Sequence, residues 1–145
     1  MDQAGEMRVY GLIGYPLGHS LSRNYFEKKF RDEGIRNASY RLFELETLAQ
    51  FHDLLKSSRD VYGLNVTIPY KQQIIPLLDN IDHEAGSIGS VNCIRVDRTG
   101  GGYATTGFNT DAEGFRKSLI PLLKPDHERA LILGTGGSSR TVSYT

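Results

Sequence analysis

Apolar and polar positions alternate along this chain in short runs, and the period of the alternation changes from run to run. Residues 8–14 are an apolar run that breaks at Gly-Tyr-Pro, the pattern of a strand followed by a turn. Over 20–30 the period lengthens: Leu21, Tyr25, Phe26 and Phe30 recur at helical spacing, and Gly34 supplies the stop. Residues 39–44 set Tyr40 and Leu42 against Arg41 and Phe43, which predicts a second strand. An amphipathic stretch over 46–56 gathers Leu48, Phe51, Leu54 and Leu55 on one helix face. Residues 61–67 are apolar and β-branched enough for a central strand. Pro69 suits the first turn of a helix running to about Ile75, which Pro76 then breaks. Asp82 is placed to cap a short helix over 83–87. Residues 91–97 and 102–106 are strands joined by a Thr-Gly-Gly turn. Residues 111–123 read as a helix with Phe115, Leu119 and Leu122 turned to the core. Pro125 marks a linker, 129–133 an apolar strand, and a glycine turn follows at once.

Repeated βα units of this kind predict an α/β fold, a mostly parallel sheet with helices on both faces. The antiparallel-looking pair around Gly100 makes the sheet mixed. No internal repeat or low-complexity tract interrupts the pattern. In open α/β sheets ligands gather beyond the carboxyl ends of the strands, and the polar residues of interest lie at such ends.

Charge and composition narrow the function. Seventeen basic and 17 acidic residues cancel, with no basic tract, so nucleic-acid or anionic-membrane binding has no electrostatic support. No apolar run approaches the ~18 residues of a membrane span, and the N-terminus lacks an apolar leader segment. The single cysteine, Cys93, excludes an internal disulfide and fits the reducing cytoplasm. Four scattered histidines show no metal-ligand spacing, so no metal site is expected.

Five motifs carry candidate chemistry. In GYPLGHSLS, Ser20 and Ser22 flank one leucine at a loop-to-helix junction, where they either cap the helix or face an anion. NVTIPYK leaves the third strand, with Asn65 and Thr67 at its mouth. Lys71 lies one turn on, either solvated or reaching back over that mouth as a general acid or base. In SIGSVNC, Asn92 must satisfy its amide; it either binds a ligand hydroxyl or bridges a neighbouring loop. Cys93 beside it reads as a small buried residue rather than a nucleophile. GFNTDAEG opens a helix: Asn109 or Thr110 caps it, and Asp111 in the first turn complements the helix dipole or pairs with Lys71. LGTGGSSR offers Gly134, Gly136, Gly137, Ser138 and Ser139 as a phosphate-cradling turn, with Ser139 where the common fingerprint has a third glycine.

In this order, GLIGYPLGHSLS, GLNVTIPYK, AGSIGSVNCI, GFNTDAEGF and ILGTGGSSR together resemble shikimate dehydrogenase, from Tyr10 to Arg140. The resemblance implies a three-layer α/β/α substrate-binding domain over 1–124. It also implies that 125–145 are a linker and the incomplete start of a Rossmann-type dinucleotide-binding domain. The implied reaction is NADP-dependent reduction of 3-dehydroshikimate to shikimate in aromatic amino-acid biosynthesis. Ser20 and Ser22 would hold the substrate carboxylate, and Asn65, Thr67, Asn92 and Asp111 the ring hydroxyls. Lys71 and Asp111 would be the catalytic pair, and the glycine-turn residues would meet NADP. Ser90 and Cys93 stand where the family more often has alanine and threonine, and Thr135 and Ser138 where it has alanines. Only 135–145 follow Gly134, too few for a βαβ unit of roughly 30 residues. The 145 residues are therefore expected to bind substrate without turnover. The alternatives are a binding module or a quinate/shikimate dehydrogenase relative, and an unpaired 129–133 strand edge or an apolar surface would invite a homodimer.

Overall fold

The computed structural model describes residues 6–145; residues 1–5, part of the stretch without an apolar leader, lie outside the described residues. In chain order the elements are β1 Arg8–Gly14, α1 Ser22–Asp32, β2 Ala38–Glu44, α2 Phe51–Ser57, β3 Val61–Val66 and β4 Asn80–Ile81. They continue with α3 His83–Ile88, β5 Cys93–Thr99, β6 Gly102–Phe108, α4 Asp111–Leu119 and α5 Gly137–Tyr144. The six strands form one sheet in the order β2-β1-β3-β5-β6-β4. β1 is parallel to β2 and β3, and β4 to β6, while β5 runs antiparallel to both β3 and β6. The mixed α/β sheet follows the sequence pattern, with β4 as an unforeseen two-residue edge.

Both faces of the sheet are covered. One carries Leu12, Leu17 and Tyr40 under α1, whose Phe26 and Phe30 pack onto them. The other holds the larger core, built on Val9, Ile13, Phe51, Leu55, Leu64 and Ile94. Alternation in β1–β3 sends successive side chains to opposite faces, which is why Tyr40 joins the first cluster and Phe43 the second. Asp82 caps α3 by accepting from the Glu84 amide at 3.1 Å. Gly89 ends that helix at φ 70°, a conformation that strains any other residue.

Three expectations fail, each for a local reason. Pro69 opens no helix: 68–74 is a run of turns, then a 3-10 turn at Ile75–Leu77. The Lys71 carbonyl accepts from the Val91 amide at 2.7 Å, so it serves the neighbouring segment rather than a helical ladder. Leu122 does not face the core and is 69% exposed. Beyond Leu119 the helix tightens into a 3-10 turn at Ile120–Leu122, and the change from about 3.6 to about 3.0 residues per turn shifts the apolar stripe out of phase. Residues 129–133 form no strand, and Leu131 and Leu133 are 83% and 85% exposed. A strand needs a partner for its amides and carbonyls, and this segment is not among the six strands of the sheet. The unpaired strand edge expected to recruit a second chain is thus absent. Residues 141–144 continue instead as the end of α5, with Thr141 buried.

A polar clasp between buried Thr105 and exposed Asp79 holds the β4 side of the sheet. Thr105, fully buried, donates from its amide and its hydroxyl to Asp79 Oδ2, each at 2.8 Å. The Asp79 amide returns a bond to Thr105 Oγ1 at 3.0 Å. The Thr105 amide first, and its hydroxyl second, hold the Asp79 carboxyl below its ordinary range. A carboxyl lowered in the folded state stabilises the fold above its unfolded pKa, and that stability is lost as pH falls through the folded value. Asp79→Ala should cost about 1–3 kcal/mol at neutral pH, because a buried donor loses its acceptor. In urea unfolding, the gap between variant and parent should narrow as pH drops below about 4.

Candidate active site

The strand directions place all the polar motifs on one rim. β1, β3 and β6 end there, and antiparallel β5 begins there. Register pairs Ile13 with Val66, Asn65 with Cys93, and Cys93 with Phe108. The loops leaving Gly14, Val66 and Phe108 and the segment entering Cys93 therefore converge, although up to 94 positions of sequence, from 14 to 108, separate them.

At the centre Lys71 Nζ donates to Asp111 Oδ2 at 2.7 Å. The lysine side chain is only 15% exposed and the aspartate 41%, so Lys71 is not a solvated surface residue. Asp111 is the first residue of α4. Its other oxygen accepts from Asn92 Nδ2 at 2.8 Å, and the same amide group donates to Thr110 Oγ1 at 2.9 Å. Asn92 Oδ1 accepts from the Thr110 amide at 2.8 Å. Asn92 thus bridges to the neighbouring loop and aims the carboxylate at Lys71. Of the two capping candidates, Asn109 makes the bond: its Oδ1 accepts from the Ala112 amide at 3.1 Å. Its Nδ2 donates to the Ser90 carbonyl.

On the same rim lies a groove of about 460 Å³ whose lining includes Ser20, Ser22 and Thr67, while Lys71, Asn92 and Asp111 do not line it. Ser20 Oγ accepts from the Ser22 amide at 3.3 Å, so the two serines form one turn and both are half-buried. The Leu17 amide is tied to Glu44 Oε1 at 2.7 Å, which anchors the loop to the end of β2. Asn65, half-buried on β3, accepts at Oδ1 from the Tyr40 hydroxyl at 2.8 Å. The sequence pattern offered no sign of Tyr40, which reads there as an ordinary inward strand position. Cys93 is half-buried, and burial raises its thiol above the ordinary range, against a thiolate nucleophile.

The glycine turn packs onto the same centre. Gly136 caps α5 without a side-chain bond, so the first amides of the helix are free to meet an anion. A Cβ on Gly137 would lie 2.7 Å from both Lys71 Cβ and Ser90 Oγ; only glycine lets the turn approach this closely. Ser138 Oγ takes a second hydrogen of the Lys71 ammonium at 3.2 Å. Gly134 and Ser139 face away, toward a cavity of about 490 Å³ shared with Arg140 and Tyr144. One close-packed glycine, Gly137, and helix amides without intrahelical partners fit a phosphate-bearing group. No helix among the described residues is long and apolar enough to cross a membrane.

The family described as the shikimate dehydrogenase substrate binding domain matches residues 12–94, more than half of the chain. The chain belongs to this family. Ser20, Ser22, Asn65, Thr67, Lys71 and Asn92 all fall inside the matched residues; Asp111 and the glycine turn fall beyond them. Among relatives, the shikimate dehydrogenase (NADP(+)) of Aquifex aeolicus (strain VF5) is 42% identical over 142 residues, covering 96% of this chain and 51% of that protein. The 1.5 Å crystal structure of shikimate dehydrogenase 1 from Peptoclostridium difficile matches with a TM-score of 0.84 at 32% identity, over 95% of this chain and 52% of that one. Shikimate 5-dehydrogenase from Thermus thermophilus, in complex with NADP(H) and shikimate, matches with a TM-score of 0.79 at 33% identity, over 95% and 51% of the two chains. The chain spans about half the length of the curated relatives it matches. Its α/β fold is shared with solved shikimate dehydrogenases.

Proposed function

We propose that this chain is the substrate-binding and proton-transfer part of an NADP-dependent shikimate dehydrogenase, acting between 3-dehydroshikimate and shikimate in the cytoplasm. The observation that carries the reading is the Lys71–Asp111 pair, 2.7 Å apart and set at the rim that also carries the serine motif. Ser20 and Ser22 donate to the substrate carboxylate, and Asn65, Thr67 and Asn92 meet its ring hydroxyls. In the reductive direction the carbonyl oxygen of the substrate becomes a hydroxyl. Lys71 delivers the proton to that oxygen from its ammonium, and Asp111 keeps the donor aimed while accepting from an adjacent hydroxyl. In the oxidative direction Lys71 takes the proton back. NADP, when bound, accepts or supplies the hydride. On this chain Gly136, Gly137 and the first amides of α5 would hold one of its phosphates, with Gly134, Ser138 and Ser139 completing the turn. Residues 1–124 make up the substrate domain on this reading, and 125–145 the approach to the dinucleotide-binding part.

Calorimetric titration of the 145-residue chain with shikimate tests the binding half of the proposal. Saturable binding is expected, and Ser22→Ala should weaken it about three- to tenfold, the worth of one hydrogen bond. A chain that takes up no shikimate would remove the reading. Reduction of NADP by these residues alone would overturn the assignment of hydride transfer to further sequence.

A further inference from the structure

The buried phenol of Tyr40 plays no part in the scheme above, yet it lies between two of its motifs. Tyr40 belongs to β2, and β1 separates it from Asn65 on β3. Leu12 pairs with both Leu42 and Asn65, and Tyr10 pairs with Tyr40. The period-two alternation then puts Tyr40 and Asn65 on one face of the sheet, under α1. The Tyr40 ring stacks on Phe26 of α1, with centroids 4.4 Å apart and planes within 10°. With 2% of its surface exposed, the side chain has one orientation, and its hydroxyl reaches across β1 to Asn65 Oδ1 at 2.8 Å.

That bond decides which end of the amide faces the ligand. Burial, and then the neighbouring Cys93 thiol, push the phenol far above the ordinary range for tyrosine, so it stays a neutral donor. The phenol gives its hydrogen to Asn65 Oδ1. The Asn65 carbonyl is then occupied, and its NH₂ is the end left for a ligand, on the side of a separate cavity of about 390 Å³ that Asn65 lines with Tyr40 and Cys93.

We propose that Tyr40 is a positioning residue: its hydroxyl turns Asn65 so that the amide NH₂, rather than the carbonyl, meets a ring oxygen of the ligand. This rests on the shikimate reading of the rim. The site thereby selects an acceptor oxygen at that ring position.

Tyr40→Phe removes only the hydroxyl and keeps the stack on Phe26. In the 145-residue chain it should weaken shikimate binding about three- to tenfold. In an Asn65→Ala background the same substitution should change the affinity by less than about twofold, because the group it orients is gone. Monodeoxy shikimates, each lacking one ring hydroxyl, supply a second readout. The Tyr40→Phe loss should vanish for the analogue missing the hydroxyl that Asn65 meets. Equal losses for every ligand, or an undiminished loss in the Asn65→Ala background, would mean that Tyr40 only supports the fold and would overturn the proposal. On the unmodified protein, saturating shikimate should shift the Asn65 side-chain amide protons in ¹⁵N-edited NMR. Unmoved protons would overturn it even if Tyr40→Phe does not fold. A parent chain that binds no shikimate defeats the underlying reading and this proposal with it; a parent that binds while Tyr40→Phe costs nothing defeats this proposal alone.

Discussion

Lys71→Ala, in a form spanning the full length of its relatives, is expected to lower turnover by about 100- to 10,000-fold, the range for loss of a placed general acid or base. Substrate affinity should change far less. The physical reason lies in how the ammonium is held. Lys71 reaches the rim with 15% of its side chain exposed and gives one hydrogen to Asp111 and another to Ser138. An ammonium has three hydrogens, so one remains for the reacting oxygen. Alanine removes that proton source, while Asn92 still holds Asp111 and the serine groove is untouched. Lys71→Arg should not restore turnover, because a guanidinium does not release its proton at working pH. Steady-state kinetics with separate kcat and KM decide the matter. A loss confined to KM would make Lys71 a ligand contact and nothing more.

The largest effect on stability is expected from Phe51→Ala, about 3–5 kcal/mol, seen as a lower denaturant midpoint with an unchanged slope. The helix α2 is only seven residues long, and its buried anchors are Phe51 and Leu55. So short a helix does not persist without tertiary packing. Phe51 is completely buried in the larger core, and its removal leaves a cavity under the sheet. The consequence spreads through Arg98 on β5. Its guanidinium donates to the carbonyls of Leu55, Ser58 and Val61 at 2.8–3.1 Å and so ties the end of α2 to the strands. A loosened α2 leaves that guanidinium, partly withdrawn from water, without its Leu55 acceptor. A loss under about 1 kcal/mol, in the range of an ordinary surface substitution, would show that α2 is not held by this ring.

Much of the fold could be read in advance because its elements are short and their periods distinct. β1, β2, β3, α3 and the β5–β6 hairpin fall within a residue or two of where alternation, helical spacing and turn residues put them. Where the reading failed, a tertiary partner decided the outcome. The Lys71 carbonyl was claimed by Val91, so Pro69 opened no helix. Residues 129–133 had apolar composition and no neighbour to pair with, so no strand formed.

The site divides in the same way. Sequence by itself determined which groups are available: two serines, two asparagines, a threonine, a lysine and an aspartate, each at a motif that ends or begins a strand. It also determined the family, because the order of those motifs is a property of the chain. Only the tertiary structure decided which groups meet. Hydrogen-bond partners such as Lys71 with Asp111, or Tyr40 with Asn65, are fixed by strand order and direction, which no local pattern encodes. Antiparallel β5 brings Asn92 to the rim where parallel β1 and β3 end, and β1 carries the Tyr40 hydroxyl across to β3. Local composition sets what a residue can do; the long-range pairing of the sheet sets what it does it to.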